Sequence, residues 1–401
     1  MTKIIKKSKA EGKIFAPSSK SAAHRMLIAA AMCDGEVSII DDLSPSDDVL
    51  ATIDCLRALG VKIIYENKTA TVLGVDFTSL SQKSELYCRE SGSTIRFLIP
   101  LLWLSGEEFV LSGSERLLER PMTAYEDIAK EHGFVFKREK DKIITKGKLQ
   151  SGIYSLPGNI SSQFISGLLL ALSLTNGQSE IVVTTEIQSK NYIDITISVM
   201  KSFGIDVIMK DNRIYVRGGK YTAQKLSVEG DYSNAAFLDA FNYLGGNVEI
   251  CGLNPDSVQG DKVYSDLFCR LEKGFCEINL SNCPDLGPIL FTLAALKSGA
   301  KFKGTKRLRH KESDRIYSMT SELSKFGAEF IIEDDSLTVI KSDLHKPSEV
   351  LFGHNDHRVV MSLSVICSVL GGEISGAEAV NKSYPDFFND LTLLGIMHLD
   401  G

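Results

Sequence analysis

Two kinds of stretch in this chain concentrate residues able to handle negative charge. In the first half, hydroxyls cluster where apolar helices are expected to begin: Ser19 and Ser21, then Ser91, Ser93 and Thr94, then Ser161 and Ser162. Lys20 precedes Ser21, Arg25 lies four residues beyond it on the same helical face, and Arg96 lies four residues after Gly92. A helix start carries unpaired N–H groups and the positive end of the dipole, so cations there are mismatched until an anion joins them. N-capping alone accounts for any one of these hydroxyls. In the second half the expected helix starts carry Asp231, Asp285 and Asp356 instead. The cations there fall in loops: Arg307, Arg309, Lys311 and Arg315 within RLRHKESDR, then Arg358 and Lys382. Asp231 reads as an N-cap. A charged run such as 306–315 is commonly a solvated face, but Glu312 and Asp314 among these cations are carboxylates whose proton affinity they would change, as acid–base chemistry requires.

Other chemistries find little support. PSSKS at 17–21 lacks the glycines of a phosphate-binding P-loop, and no strand–GxGxxG–helix unit or G-x-S-x-G elbow occurs. His354, Asp356 and His357 make a poor metal site without a third cluster, so no metal is expected. Cys283 near Asp285 has no histidine nearby in sequence and reads as a buried thiol rather than a nucleophile.

The elements that must position these residues recur six times. An apolar helical segment, a glycine turn and a β-branched strand begin at 21, 91, 161, 231, 285 and 356, with turn glycines Gly35, Gly106, Gly177, Gly245, Gly299 and Gly371. Each unit holds a second helix ending in its own glycine: Gly60, Gly133, Gly204, Gly274, Gly327 and Gly395. These positions suit a left-handed helix end followed at once by a strand. The first helix of each unit is apolar nearly all round and should be buried. The second is amphipathic, with Val49, Ile53, Leu56 and Leu59 on one stripe and Asp54 and Arg57 off it, and should cover the outside. Six such units suggest two pseudo-symmetric lobes of three, with a break near 226–231 where YVRGGKYTAQKLSVEGD ends the third unit. A single open α/β sheet is the alternative.

Composition agrees with an α/β protein of more than one domain. The chain has 401 residues, 43% hydrophobic and 24% charged, with 45 basic and 51 acidic side chains for a net charge of −6. An acidic balance argues against a general nucleic-acid binder but leaves room for a local cationic pocket. Eight cysteines with no C-x-x-C pair read as reduced thiols of a cytoplasmic protein. The basic start MTKIIKKSKAEGKIFAP has no apolar signal core, and the most apolar stretch, near 164–174, is too short to span a bilayer.

The ordered set of motifs resembles one family. SSKSAAHR at 18–25, LSPSDDV at 43–49, ESGSTIRF at 90–97, LLERPM at 117–122, ISSQF at 160–164 and SKNYIDIT at 189–196 are followed by EGDYSNAAF at 229–237, CPDLGPI at 283–289, RLRHKESDR at 307–315, HNDHR at 354–358 and NKSYPDF at 381–387. Together these are similar to the 5-enolpyruvylshikimate-3-phosphate synthases, the 3-phosphoshikimate 1-carboxyvinyltransferases. The resemblance implies a two-lobed inside-out α/β barrel with three repeats per lobe. It implies a first lobe over 21–228 and a second built from 1–20 and 229–401, joined by two crossovers and closing over a cleft. It implies transfer of the enolpyruvyl group of phosphoenolpyruvate to the 5-hydroxyl of shikimate 3-phosphate, with release of phosphate, in the shikimate pathway to chorismate and the aromatic amino acids. No metal or organic cofactor is expected, and the resemblance implies a cytoplasmic monomer.

Carried over residue by residue, the resemblance places Lys20, Ser21, Arg25, Ser161, Ser162 and Gln163 around shikimate 3-phosphate, with Ser189, Tyr192, Asp285 and Lys311. It places Lys20, Gly92, Arg120, Gln163, Arg315, Arg358 and Lys382 around phosphoenolpyruvate. Asp285 is expected to take the hydroxyl proton, with Glu312 and Lys20 handling protons at the methylene carbon and the phosphate. Glu90, Asn191 and Arg307 depart from the family pattern, and Glu90 is set aside as a ligand. Gly92 is retained, which implies sensitivity to the phosphonate inhibitor glyphosate. The related transferase acting on UDP-N-acetylglucosamine usually carries a reactive cysteine in a first-lobe loop, whereas VLSGSERLLERPMT at 110–123 has none. A non-catalytic clamp on nucleic acid would need basic inner helices, and these are apolar.

Overall fold

The six apolar segments form the helices Lys20–Ala31, Gly92–Leu102, Ser162–Leu172, Tyr232–Tyr243, Gly287–Leu296 and His357–Leu370 in a computed structural model that describes residues 1–81 and 85–401. Leu27, Ile28, Ala29, Ala30 and Ala31 are wholly buried, as a helix with no polar face must be. The second series forms Asp47–Ala58, Thr123–His132, Lys190–Ser202, Tyr264–Glu272, Arg315–Ser324 and Phe387–Leu393. In Asp47–Ala58 the stripe of Val49, Ile53 and Leu56 is buried while Asp54 and Arg57 face water. All twelve glycines of the two series take positive φ. At Gly133 the left-handed residue (φ 70°, ψ 25°) closes Thr123–His132 and returns its N–H to the Ala129 carbonyl, a turn that a Cβ would strain.

One strand order recurs in five of the six described sheets: a parallel pair extended by two antiparallel strands. Lys225–Ser227 runs parallel to Val37–Asp41, followed by Thr69–Leu73 and Lys62–Glu66. The same order joins Leu86–Tyr87 to Glu108–Ser112, Lys142–Lys146 and Val135–Arg138, and joins Ile153–Leu156 to Gln178–Val183, Arg213–Arg217 and Val207–Lys210. It recurs in Glu277–Asn279 with Ala300–Lys303, Ser336–Ile340 and Glu329–Ile332. In the fifth, Leu351–Phe352 and Gly372–Ser375 are completed by the chain's first strand, Thr2–Ile5, which pairs on its other side with His398–Asp400. Glu11–Phe15 and Asn247–Cys251 make the sixth, two-stranded and parallel.

The chain divides into two compact units, one of Ser18–Glu229 and one of Met1–Pro17 with Gly230–Gly401. Each has its own hydrophobic core: Leu27, Leu98, Phe164 and Trp103 belong to the first, and Phe237, Leu290, Phe291 and Val365 to the second. Lys20, expected with the N-terminal segment of the second lobe, lies in the Ser18–Glu229 unit, because it already opens the Lys20–Ala31 helix there.

The stretch expected to end the third repeat as one strand is instead two. Arg213–Arg217 stays in the third repeat's sheet, whereas Lys225–Ser227 returns to the first. The break falls at Gly218, where a Cβ would stand 1.7 Å from the Thr175 carbonyl oxygen. Tyr221 then turns inward and its hydroxyl meets Ser173 at 2.8 Å. Among the described residues no helix is long and apolar enough to cross a membrane.

Candidate functional site

Capping explains part of the hydroxyl pattern. Ser19, Ser91 and Ser161 are N-caps whose side chains accept from the N–H of Ala22, Thr94 and Gln163. Asp231 caps in the same way, as read from the sequence, accepting from Asn234 N–H. Ser21 and Ser162 follow their caps by two residues and one, inside the first turn, and do not serve as the caps of their helices.

In the Ser18–Glu229 unit the helix starts carry cations held by unusual partners. Lys20 Nζ is 2.7 Å from Asp48 Oδ2, a carboxylate in the first turn of the neighbouring Asp47–Ala58 helix. Arg25 is 2% exposed. Its guanidinium donates to neutral acceptors: Thr196 Oγ1 at 2.6 Å, the Ser21 carbonyl at 2.6 Å, the Tyr192 carbonyl at 3.0 Å and Ser166 Oγ at 3.4 Å. It also lies 4.8 Å over the Phe97 ring. Burial without a counter-charge pushes Arg25 down to about 9. Gln163 links two helix starts, accepting from Arg96 Nη1 at 2.6 Å and donating to Ser93 Oγ at 3.0 Å. Ser189, 1% exposed, takes a left-handed backbone (φ 55°) at the start of Lys190–Ser202, a strained conformation for a residue with a side chain.

Arg120 has no such partners. It is buried, its Nε makes no hydrogen bond, and its guanidinium forms no ion pair among the described residues. It lies over the first residue of the Gly92–Leu102 helix, and a Cβ on Gly92 would stand 2.8 Å from Arg120 Nη1. The absence of a side chain at 92 is what lets the guanidinium reach the helix's positive end.

Behind these groups a chain of hydrogen bonds ties three helices together. His24 Nδ1 meets Thr52 Oγ1 at 2.7 Å, Thr52 meets Thr94 Oγ1 at 2.7 Å, and Thr94 donates to the cap Ser91 at 2.7 Å. Burial, aided by the charges of Lys20 and Arg25, holds His24 well below the usual histidine range, so its imidazole is neutral.

The unit of Met1–Pro17 and Gly230–Gly401 carries a denser cluster. Arg315, 1% exposed, donates to three carboxylates: Asp285 at 2.8 Å, Glu312 at 2.8 Å and Asp356 at 2.9 Å. Asp285 in turn meets Lys311 at 3.2 Å and Arg358 at 3.1 Å. Burial would raise the Asp285 pKa, but Arg358, Lys311 and Arg315 hold it well below the carboxylate range. For Lys311 burial outweighs the attraction of Asp285 and lowers its pKa. Lys382, at the end of the Ala377–Lys382 turn, donates to the Asn355 carbonyl.

The run 306–315 thus divides. Lys306 and His310 face water, as the solvated reading had it, and Asp314 caps the Arg315–Ser324 helix, while Lys311, Glu312 and Arg315 turn into the ion cluster. His354 and His357 part company: His354 Nε2 bonds Glu322 at 2.8 Å, and His357 is buried at the start of its own helix. Cys283 is buried, and its thiol is pushed up to about 12 by burial and by the charges of Asp261 and Asp285, which suits packing and not nucleophilic attack.

Two counter-charges and one buried acid carried no distinguishing signal in the sequence. Asp48 and Asp356 sit at helix starts, where acids serve as caps anyway, and only the fold reveals them as counter-charges of Lys20 and Arg315. Asp261, in QGDK, had only a neighbouring Lys262 and no periodicity to mark it.

The family model for EPSP synthase (3-phosphoshikimate 1-carboxyvinyltransferase) matches residues 4–391. The 3-phosphoshikimate 1-carboxyvinyltransferase of Clostridium kluyveri is 39% identical over 414 residues, spanning 98% of this chain and 96% of that protein. That of Clostridium acetobutylicum is also 39% identical, over 96% of this chain and 95% of its own. Among solved structures, an EPSP synthase from Acinetobacter baumannii matches with a TM-score of 0.79 over 99% of each chain at 24% identity. The enolpyruvyl transferase NikO from Streptomyces tendae matches at 0.78, over 99% of this chain and 98% of that one, with 15% identity. At such identities the structural likeness speaks for the fold, which is the enolpyruvyl transferase fold that the family resemblance implied. The sequence match, running almost from end to end, makes this chain a member of the EPSP synthase family.

Proposed function

We propose that the chain transfers the enolpyruvyl group of phosphoenolpyruvate to the 5-hydroxyl of shikimate 3-phosphate and releases phosphate. The observation that carries this reading is Asp285, an ionised carboxylate ringed by Lys311, Arg315 and Arg358. Both substrates are polyanions, so a site for them needs fixed cations that repel one another until the ligands arrive. A base among those cations is weak in the free enzyme. When an anionic substrate takes over Arg358 and Lys311, the charges that suppress Asp285 are neutralised and its proton affinity rises where it is needed.

In this reading Ser21, Ser161, Ser162, Gln163, Ser189 and Tyr192 surround shikimate 3-phosphate, and Arg25 supplies positive charge from beneath Ser21 and Tyr192. Arg120, over Gly92, takes the phosphoenolpyruvate side with Arg315, Arg358 and Lys382. Lys20 and Gln163 serve both substrates. Carbon 3 of the enol gains a proton, the 5-oxygen attacks carbon 2 as Asp285 takes the hydroxyl proton, and a tetrahedral ketal forms. Loss of a methyl proton and of phosphate restores the double bond, with Glu312 and Lys20 as the proton carriers. We further place the protein in the cytoplasm as a monomer; its eight free thiols fit a reducing compartment.

The deciding experiment is phosphate release from phosphoenolpyruvate with two acceptors. Turnover with shikimate 3-phosphate and none with UDP-N-acetylglucosamine is expected; the reverse pattern would overturn the assignment.

A further inference from the structure

Asp261 is a buried acid beside the ion cluster that the proposed reaction does not use. It sits in the Gly260–Val263 turn, 3% exposed. The preceding Gln259 fixes this turn against the Tyr232–Tyr243 helix: its side chain accepts from Tyr232 N–H at 3.0 Å and donates to the Gly230 carbonyl at 2.8 Å. One Asp261 oxygen, Oδ2, meets the Ser233 hydroxyl on that helix. The other, Oδ1, is buried with no hydrogen-bond partner among the described residues. The same helix packs against both the Gly260–Val263 turn and the Pro284–Leu286 turn that bears Asp285. Asp261 and Asp285 are thereby brought to one helix, within electrostatic reach of each other and of Arg358.

We propose that Asp261 is a positioning residue that works by its proton: neutral, it leaves the Asp285–Arg358 pair able to receive an anion, and anion binding at Arg358 draws a proton onto Asp261. This rests on the reading of Arg358 as a phosphoenolpyruvate ligand. The groups facing Asp261 are Asp231 and Ser233 of the Tyr232–Tyr243 helix, Cys283 and Asp285 beside the Pro284–Leu286 turn, and Arg358 of the His357–Leu370 helix. Burial and the charge of Asp285 push Asp261 up to about 7, against the pull of Arg358 and Ser233, so its charge changes in the physiological range. An ionised Asp261 offsets part of the Arg358 charge and weakens anion binding. By linkage an anion on Arg358 removes the cation that favours the ionised form, so Asp261 takes up a proton from solvent, and the orphaned Oδ1 is the atom left to hold it.

The test is the KM for phosphoenolpyruvate between pH 5.5 and 9 in the wild type, Asp261→Asn and Ser233→Ala. The substrate's own ionisation is common to all three and cancels in ratios. The wild-type to Asp261→Asn ratio of KM is expected near unity at low pH, rising through pH 7 to a plateau of about tenfold, the equivalent of one pKa unit. Ser233→Ala removes a bond that favours the ionised form, so its rise is expected at higher pH than the wild type's. Calorimetry of phosphoenolpyruvate binding in two buffers of different ionisation enthalpy should show extra proton uptake near pH 7 in the wild type over Asp261→Asn. A flat ratio in an enzyme that turns over normally, or equal proton uptake, would overturn the proposal. Absence of turnover in the wild type would instead overturn the functional reading on which it rests.

Discussion

Arg120 lies against the α-carbon face of Gly92, so close that a methyl group there would stand 2.8 Å from Nη1. The guanidinium has no carboxylate to hold it among the described residues, so the backbone of the helix start is its main constraint. Gly92→Ala should displace Arg120 without unfolding the protein, because the atoms a Cβ would meet are the guanidinium end of a flexible side chain. A rise in KM for phosphoenolpyruvate of about tenfold is expected, with an unchanged melting temperature; an unaltered KM would show that Arg120 does not bind this substrate.

Asp285 is the cluster's only carboxylate shared by Lys311, Arg315 and Arg358 among the described residues. Asp285→Asn keeps the shape and removes the base. Turnover is expected to fall about 10²–10⁴-fold with a much smaller change in KM, since proton transfer belongs to the transition state. Steady-state kinetics with both substrates varied would reveal it, and near-normal kcat would exclude Asp285 as the base.

Arg315 and Asp356 form a pair at 1% and 0% side-chain exposure. Asp356→Ala leaves a buried cation short of one counter-charge and strips the cap from the His357–Leu370 helix. Breaking one side of a buried pair costs about 3–5 kcal/mol. Asp285 and Glu312 remain on Arg315, so the lower end is expected, read as a lower urea midpoint at constant m-value.

Asp261 also leaves a signature in stability. Its pKa is raised to about 7 in the folded chain, against about 3.9 for an unfolded aspartate. The folded state therefore binds the proton more tightly. The stability that the neutral form contributes is complete below the unfolded value, is lost as pH climbs to about 7, and changes no further above it. Asparagine cannot ionise. The stability of Asp261→Asn relative to the wild type should rise between pH 5 and 7 by on the order of a few kcal/mol and then level off. Urea titrations at four pH values would test this, and a pH-independent difference would mean that Asp261 is already charged when folded.

The periodic part of the architecture was legible in the sequence because it is written in residue types that have few other uses. Twelve glycines at matched positions demanded backbone that other residues avoid, and all twelve take positive φ. Helices as apolar as Leu168–Leu172 had nowhere to go but inside. The strand stretch after 213 was misread because β-branched content marks a strand but not its sheet; Lys225–Ser227 crosses back to the first repeat, a long-range choice that no local pattern encodes. In the site, the cations and hydroxyls stood out by their mismatch with helix dipoles. Their counter-charges did not, since Asp48 and Asp356 look the same in sequence as ordinary caps. Asp261 was invisible because its peculiarity is burial beside another acid, which depends on a helix that packs on two separate turns.

Thr2–Ile5 is threaded between Gly372–Ser375 and His398–Asp400. During synthesis this strand leaves the ribosome long before its two neighbours are made. The Ser18–Glu229 unit has all its pairing partners long before then and is free to fold while the chain is still growing. Until those neighbours are made, Thr2–Ile5 has both backbone edges unpaired, so a chain stalled between the two units holds a finished half beside a strand open to pairing with other chains.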